Sequence, residues 1–280
     1  MAEIEKRRLT TSDGVGLNLL EAGAGPPLLM IPGWSQTAAM FRHQLEGLSD
    51  RYRVMALDMR GHGESEKPSH GYRVSRLARD VYDAIDELGL ESVAVLGHSM
   101  GNAVLWSHME LFGCERFSKL IIAEQPPTLL SRFSWSQAER DVAGCITDGA
   151  ELANNCDALV GPDAQGFGAD FVGGMLSQSV SEQDRRFIVE QNLLMPRAAA
   201  AVLLQDTATA DWRDFIPRID LPTLIVAGKA SVVPFASQAW IHEQVRNSQL
   251  IAFEASEGGS HFMFWENFGK FNRVVAEFVG

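Results

Sequence analysis

The sequence predicts an α/β protein, with a mainly parallel sheet of eight strands, helices on both faces and a helical cap inserted over the sheet. Three observations carry that prediction. Apolar runs of strand length alternate with helix-spaced stripes along the first 123 residues and resume near residue 223, the rhythm that builds parallel sheets. The turn Gly97-His98-Ser99-Met100-Gly101 lies between the apolar run Ser92-Val93-Ala94-Val95-Leu96 and a helical stretch from Asn102 to Phe112. After Pro126-Pro127 the strand signals stop for about 80 residues and helical segments replace them.

Arg7 to Thr10 and Val15 to Glu21 read as a hairpin around Ser12-Asp13-Gly14, followed by buried strands at Leu28 to Ile31 and Tyr52 to Leu57. Val74, Leu77, Val81, Ile85 and Leu88 recur at three- and four-residue steps, laying one helical stripe on the sheet that Gly89 ends. Phe117 to Ala123 is a further buried strand. In the following region Ser136 to Cys145 and Glu182 to Leu194 read as helices, flanking a loose stretch with five glycines from Gly161 to Gly174. The alanine run at 198–201 is ordinary helix sequence. Residues 127–204 are therefore expected to form the cap, and 1–126 with 205–280 the core. The core resumes with a strand at Thr223 to Ala227, a helix near Ser237 to Gln244, a strand at Gln249 to Phe253 and a closing helix from Glu266 to Val279.

The 280 residues, 46% of them apolar, suffice for one large domain with an insertion. A net charge of −12 without a basic run argues against nucleic acid and anionic membrane as partners. Cys114, Cys145 and Cys156 are odd in number and lack C-x-x-C spacing, so no disulfide framework or metal site is expected. The first eight residues have no apolar signal region, and Ala198 to Leu204 is too short to span a bilayer. A cytoplasmic location is expected, no cofactor is called for, and a homodimer is allowed.

A strand that turns sharply into a helix lifts the turn's side chain above the sheet edge, and small residues two places either side let the crowded backbone pass. Gly97 and Gly101 meet that need, making Ser99 the candidate nucleophile. The helix that begins there presents unpaired N–H groups to developing negative charge. A serine hydroxyl needs a base held by a third group. His261 is the candidate base, because Gly258-Gly259-Ser260 carries it on a loop after the last strand, at the sheet edge where Ser99 must also lie. His43, His108 and His242 fall on predicted helices, His62 lies in a glycine-constrained turn, and His98 is read as pointing away from the exposed side of the elbow.

With these residues the whole chain resembles an α/β-hydrolase, in the broad branch of esterases, lactonases and cofactor-free haloperoxidases. The matching segments are Pro32-Gly33-Trp34, Asp58-Met59-Arg60-Gly61-His62-Gly63-Glu64-Ser65, the elbow, Gly228 and Gly259-Ser260-His261. The resemblance implies an oxyanion hole from the backbone N–H groups of Trp34 and Met100. It also implies an acid three residues after Gly228, where this chain has Ser231. The loop Lys229-Ala230-Ser231-Val232-Val233-Pro234 holds no carboxylate. Glu124 is the candidate replacement, since it ends the strand that lies between the elbow strand and the Gly228 strand in the family's order, as in some lactonases and cofactor-free dioxygenases.

The resulting expectation is a cofactor-free serine hydrolase acting on a small or medium apolar ester or lactone. Phe133, Trp135, Phe167, Phe171 and Met175 of the cap, with Phe262 and Met263 of the histidine loop, are the expected pocket wall. Three rivals stay open. A cofactor-independent dioxygenase would use the histidine as base, and family members of that kind tend to have a histidine where Met100 stands. Perhydrolase or haloperoxidase chemistry would use peroxide as acyl acceptor. A ligand receptor would keep the pocket without turnover.

Overall fold

The computed structural model describes residues 3–280. Strands β1 (Glu5–Thr10) and β2 (Gly16–Ala22) form the hairpin, and β3 (Pro27–Ile31) leads through helix α1 (Arg42–Leu48) to β4 (Arg53–Leu57). Helix α2 (Val74–Glu87), β5 (Val93–His98), α3 (Met100–Phe112) and β6 (Phe117–Ala123) complete the first half. The insertion holds α4 (Gln137–Ala143), α5 (Gly149–Val160), α6 (Ala164–Gly173), α7 (Glu182–Leu193) and α8 (Arg197–Thr209). Then come β7 (Thr223–Gly228), α9 (Phe235–Gln244), β8 (Ser248–Phe253), α10 (Met263–Glu266) and α11 (Phe268–Val279). The eight strands form one sheet in the order β1-β2-β4-β3-β5-β6-β7-β8. Only the β1–β2 and β2–β4 pairs are antiparallel, so strands β3 to β8 all leave their carboxyl ends at one edge, where ligands bind in sheets of this kind.

Both faces of the sheet are covered. On β3, Leu29 and Ile31 enter the core beneath α2 and α3, while Leu28 and Met30 enter the core beneath α1 and α11. The alternation is the period-two geometry of a strand. Val74, Leu77, Val81 and Ile85 of α2 are buried, as their spacing predicts. The wholly buried Arg60 donates to Asp80 at 2.6 and 2.7 Å and to Asp13 at 2.9 Å, fixing the loop after β4 to α2 and to the hairpin turn.

Three elements differ from the sequence expectation. The glycine-rich stretch 161–174 is mostly helix α6. Asp163 caps it by accepting from the Gly166 N–H, and burial of Val172 against the core repays the helix cost of glycine, about 1 kcal/mol each. A Cβ on Gly168 would meet the Arg197 guanidinium at 2.9 Å, so a larger residue there would have to displace that side chain. The closing helix is two helices, because Asn267 breaks the ladder and caps α11 through its Oδ1, which accepts from the Lys270 N–H. Helix α8 runs on to Thr209, past residue 204, and the insertion closes where Thr128 bridges to Asp211. Among the described residues no single helix is long and apolar enough to cross a membrane.

Leu77→Ala tests the packing of α2 on the sheet. It removes a fully buried side chain and should lower the unfolding free energy by about 2–5 kcal/mol with an unchanged denaturant slope; urea unfolding gives the answer, and a loss below about 1 kcal/mol contradicts this packing.

Candidate active site

Strand β5 ends at His98 and α3 begins at Met100, so Ser99 alone makes the turn, with φ 51° and ψ −128°. That conformation is costly for a residue with a side chain. It is held by the Ser99 N–H donating to the Ala123 carbonyl at 2.9 Å, and by Asn102, whose Nδ2 donates to the Gly97 carbonyl at 2.7 Å. A Cβ on Gly97 would lie 2.6 Å from the Asn102 nitrogen, and one on Gly101 2.2 Å from the Ile31 oxygen. Both glycines are therefore required by backbone contact.

Glu124 follows β6 directly, also at positive φ (53°), and is wholly buried. Its carboxylate gathers three donors. Oε1 accepts from the Gly228 N–H at 2.7 Å, and Oε2 accepts from the Ser231 hydroxyl at 2.5 Å and from His261 Nδ1 at 2.8 Å. The serine that stands in the expected acid's place is thus a hydrogen-bond donor to Glu124, a role the sequence alone gave no sign of. Burial pushes the Glu124 carboxyl up and pulls the His261 imidazole down, because each charged form loses water. The two groups compete for one proton along the 2.8 Å contact.

His261 is 5% exposed. Its loop folds back so closely on β7 that a Cβ on Gly228 would lie 2.3 Å from the Gly259 oxygen. His98, read from sequence as turned away, is instead part of the site's wall. Its Nε2 donates to the His261 carbonyl at 2.9 Å and its ring lies 4.7 Å from the His261 ring.

The segment 32–35 passes beside the elbow, since a Cβ on Gly33 would come within 3.1 Å of the Ser99 Cβ. Among the described residues the Trp34 and Met100 N–H groups have no acceptor within the chain. The Trp34 indole donates to the Ala200 carbonyl of α8 at 2.8 Å and meets Phe171 edge-on at 5.4 Å. Behind this segment, the Ser35 N–H donates to His62 Nε2 at 3.2 Å, and His62 Nδ1 donates to the Arg60 carbonyl at 2.9 Å. His62 is therefore the Nδ1–H tautomer, and burial lowers its pKa to about 4, which keeps it neutral.

Ser99, His261, Trp34 and Met100 line one cavity between sheet edge and cap, together with Phe171, Met175 and Phe262. Four expected wall residues lie elsewhere. Phe133 is 91% exposed. Trp135 faces outward beneath the guanidinium groups of Arg132 and Arg213. Phe167 packs inside the cap with Leu159 and Leu204, and Met263 is fully buried in the core under α1 and α11. The aromatic bias of the sequence reading misplaced these and missed Gln36, Gln125, Asn192 and Thr207, which line the cavity. One signal was present, because Asn192 lies one helical turn after Ile188 on the buried face of α7. Among the described residues no group of three or more His, Cys, Asp or Glu could hold a metal ion.

A family model described as the alpha/beta hydrolase fold matches residues 26–145. A putative non-heme chloroperoxidase of Synechocystis is 29% identical over 92% of this chain and 93% of its own length. An esterase from Exiguobacterium antarcticum matches with a TM-score of 0.88 and 26% identity, over 98% of this chain and 99% of that one. A bromoperoxidase from Bacillus anthracis gives the same TM-score at 23% identity, over 98% and 99%, which shows the shared fold.

Glu124→Gln removes an anion beside His261 and leaves burial to set the imidazole pKa. A neighbouring anion favours imidazolium, so its loss should move His261 protonation to lower pH than in the parent. Nitrogen-15 NMR of the imidazole measures this; an upward or absent shift contradicts the ion-pair geometry.

Proposed function

We propose that this chain, which matches the alpha/beta hydrolase fold model over residues 26–145 and shares that fold throughout, is a serine hydrolase cleaving a small carboxylic ester or lactone through an acyl-enzyme on Ser99. The observation that carries this reading is that the elbow serine and His261 line one cavity while the buried Glu124 carboxylate holds His261 Nδ1 from behind. His261 accepts the Ser99 proton at Nε2 as the hydroxyl oxygen bonds to the substrate carbonyl carbon. Glu124 accepts from Nδ1–H, which leaves Nε2 as the ring nitrogen that takes the proton and stabilises the imidazolium that forms. The Trp34 and Met100 N–H groups, free of other acceptors, hold the oxyanion; each such donor is worth about a hundred- to a thousandfold in rate. The intermediate collapses, the alcohol leaves with the proton from His261, and water activated by the same base releases the acid.

The cavity measures about 60 Å³, room for only a few waters at roughly 10–15 Å³ each. A small acyl group is accordingly the preferred substrate. The chloroperoxidase relative favours one second reading of the same site, in which hydrogen peroxide replaces water as acyl acceptor and a peracid is the product.

Two measurements test the proposal. Ser99→Ala should lower kcat/KM on short-chain aryl esters by several orders of magnitude, with labelling by a fluorophosphonate lost and the fold retained; activity within tenfold of the parent excludes the acyl-enzyme. Glu124→Ala should cost about ten thousandfold in kcat. Adding Ser231→Asp should restore at least tenfold of it, because Ser231 Oγ already sits 2.5 Å from the Glu124 carboxylate. A double variant no faster than Glu124→Ala shows that the carboxylate is needed from β6 alone.

A further inference from the structure

The cavity is mostly apolar, yet it concentrates polar atoms that the chain leaves without partners. Among the described residues eleven buried side-chain polar atoms have no hydrogen-bond partner, and four of these belong to cavity-lining residues: Gln36 Oε1, Gln125 Nε2, Asn192 Nδ2 and Thr207 Oγ1. All four residues are at most 3% exposed. An unpaired buried polar group is destabilising, so the cluster at the one cavity that holds Ser99 calls for a function.

Asn192 shows the direction of the demand. Its Oδ1 accepts from Arg197 Nη1 at 3.2 Å, which fixes the amide and leaves Nδ2 as an unused donor. Arg197 is itself held by neutral oxygens, at 2.8 Å from Ser35 Oγ and 2.7 Å from the Met195 carbonyl, and has no carboxylate partner among the described residues. Its charge polarises the Asn192 amide and strengthens the Nδ2 donor. Thr207 adds a hydroxyl that both donates and accepts, and the two glutamine amides each offer a donor and an acceptor. No lysine or arginine lines the cavity, which disfavours a carboxylate. A hydroxyl, donor and acceptor in one atom, matches the set.

We propose that this cavity is a specificity subsite for a hydroxyl group on the acyl portion of the substrate, bound by Asn192 and Thr207 with Gln36 and Gln125 beside them. The inference rests on the serine-hydrolase reading for turnover but not for binding. It narrows the substrate class to esters or lactones of small hydroxy acids. The hydroxyl pairs with Asn192 Nδ2 and Thr207 Oγ1, which an alkyl chain of equal size would leave buried without partners, and this is how polar sites reject isosteres.

The test compares aryl esters of 3-hydroxybutanoate and 3-methylbutanoate, equal in heavy atoms and differing by one hydroxyl for methyl. The parent enzyme should favour the hydroxy ester at least tenfold in kcat/KM. Thr207→Val, an isosteric change, and Asn192→Leu should each lower that ratio at least fivefold, whichever way the absolute rates move; misfolding lowers both rates and leaves the ratio. A parent ratio near one, or variants that keep the parent ratio, overturns the subsite. Calorimetric binding of 3-hydroxybutanamide against 3-methylbutanamide gives the same comparison without turnover: a tenfold preference lost in Thr207→Val supports the subsite, and equal affinities overturn it. Fluorophosphonate labelling of Ser99 is read in parallel, so that failure of the nucleophile and failure of the subsite appear separately.

Discussion

The Glu124 carboxylate is the interaction on which the site depends. It is fully buried, and it draws to one point a backbone N–H from the end of β7, a hydroxyl from the loop after β7 and an imidazole from the loop after β8. A buried carboxylate left short of donors would be strongly destabilising, so these loops have few other places to go. The positive φ of Glu124 and that of Ser99 occur on adjacent strand tips, joined by the Ser99 N–H to Ala123 carbonyl bond. Strain at one edge is thus held by the sheet ladder beneath it, a rigid base for two side chains that must meet.

The cap is tied to the same edge through the segment that carries the Trp34 amide. Trp34 donates its indole N–H to Ala200, Ser35 donates its hydroxyl to the Asn192 carbonyl at 2.7 Å, and Arg197 closes the group by donating to both Ser35 and Asn192. On the core side His62 and Asp58 hold the segment, with Asp58 accepting from the Ala38 and Glu64 N–H groups. A movement of α7 or α8 would therefore be felt at the Trp34 backbone. The position of the cap and the geometry of that amide are coupled by these bonds.

Much of the fold was legible because strands and amphipathic helices in the core keep one period throughout; the stripe from Val74 to Ile85 is an example. The elbow was legible because a strand–turn–helix leaves no freedom at Gly97 and Gly101. The cap was harder. Helix α6 carries glycines that weigh against a helix locally, and only its cap by Asp163 and its packing on α7 and α5 outweigh them. The cavity wall was hardest, because which cap aromatics face inward depends on helix rotation. Phe171 and Phe167 lie one turn apart on α6, yet only the first reaches the cavity.

The exchange of roles between residues 124 and 231 follows from the sheet. Strands β6 and β7 are paired with Ala123 opposite Val226, so the segments leaving the two tips run side by side and Ser231 meets the Glu124 carboxylate. What the chemistry constrains is the place of the charge rather than the strand that supplies it. Two carboxylates there would repel, and one would take a proton and cease to act as an anion. A small donor at the other position avoids that and helps the buried Glu124 carry its charge. Ser231 fills this place, with its own oxygen held by the Val233 N–H at 3.1 Å.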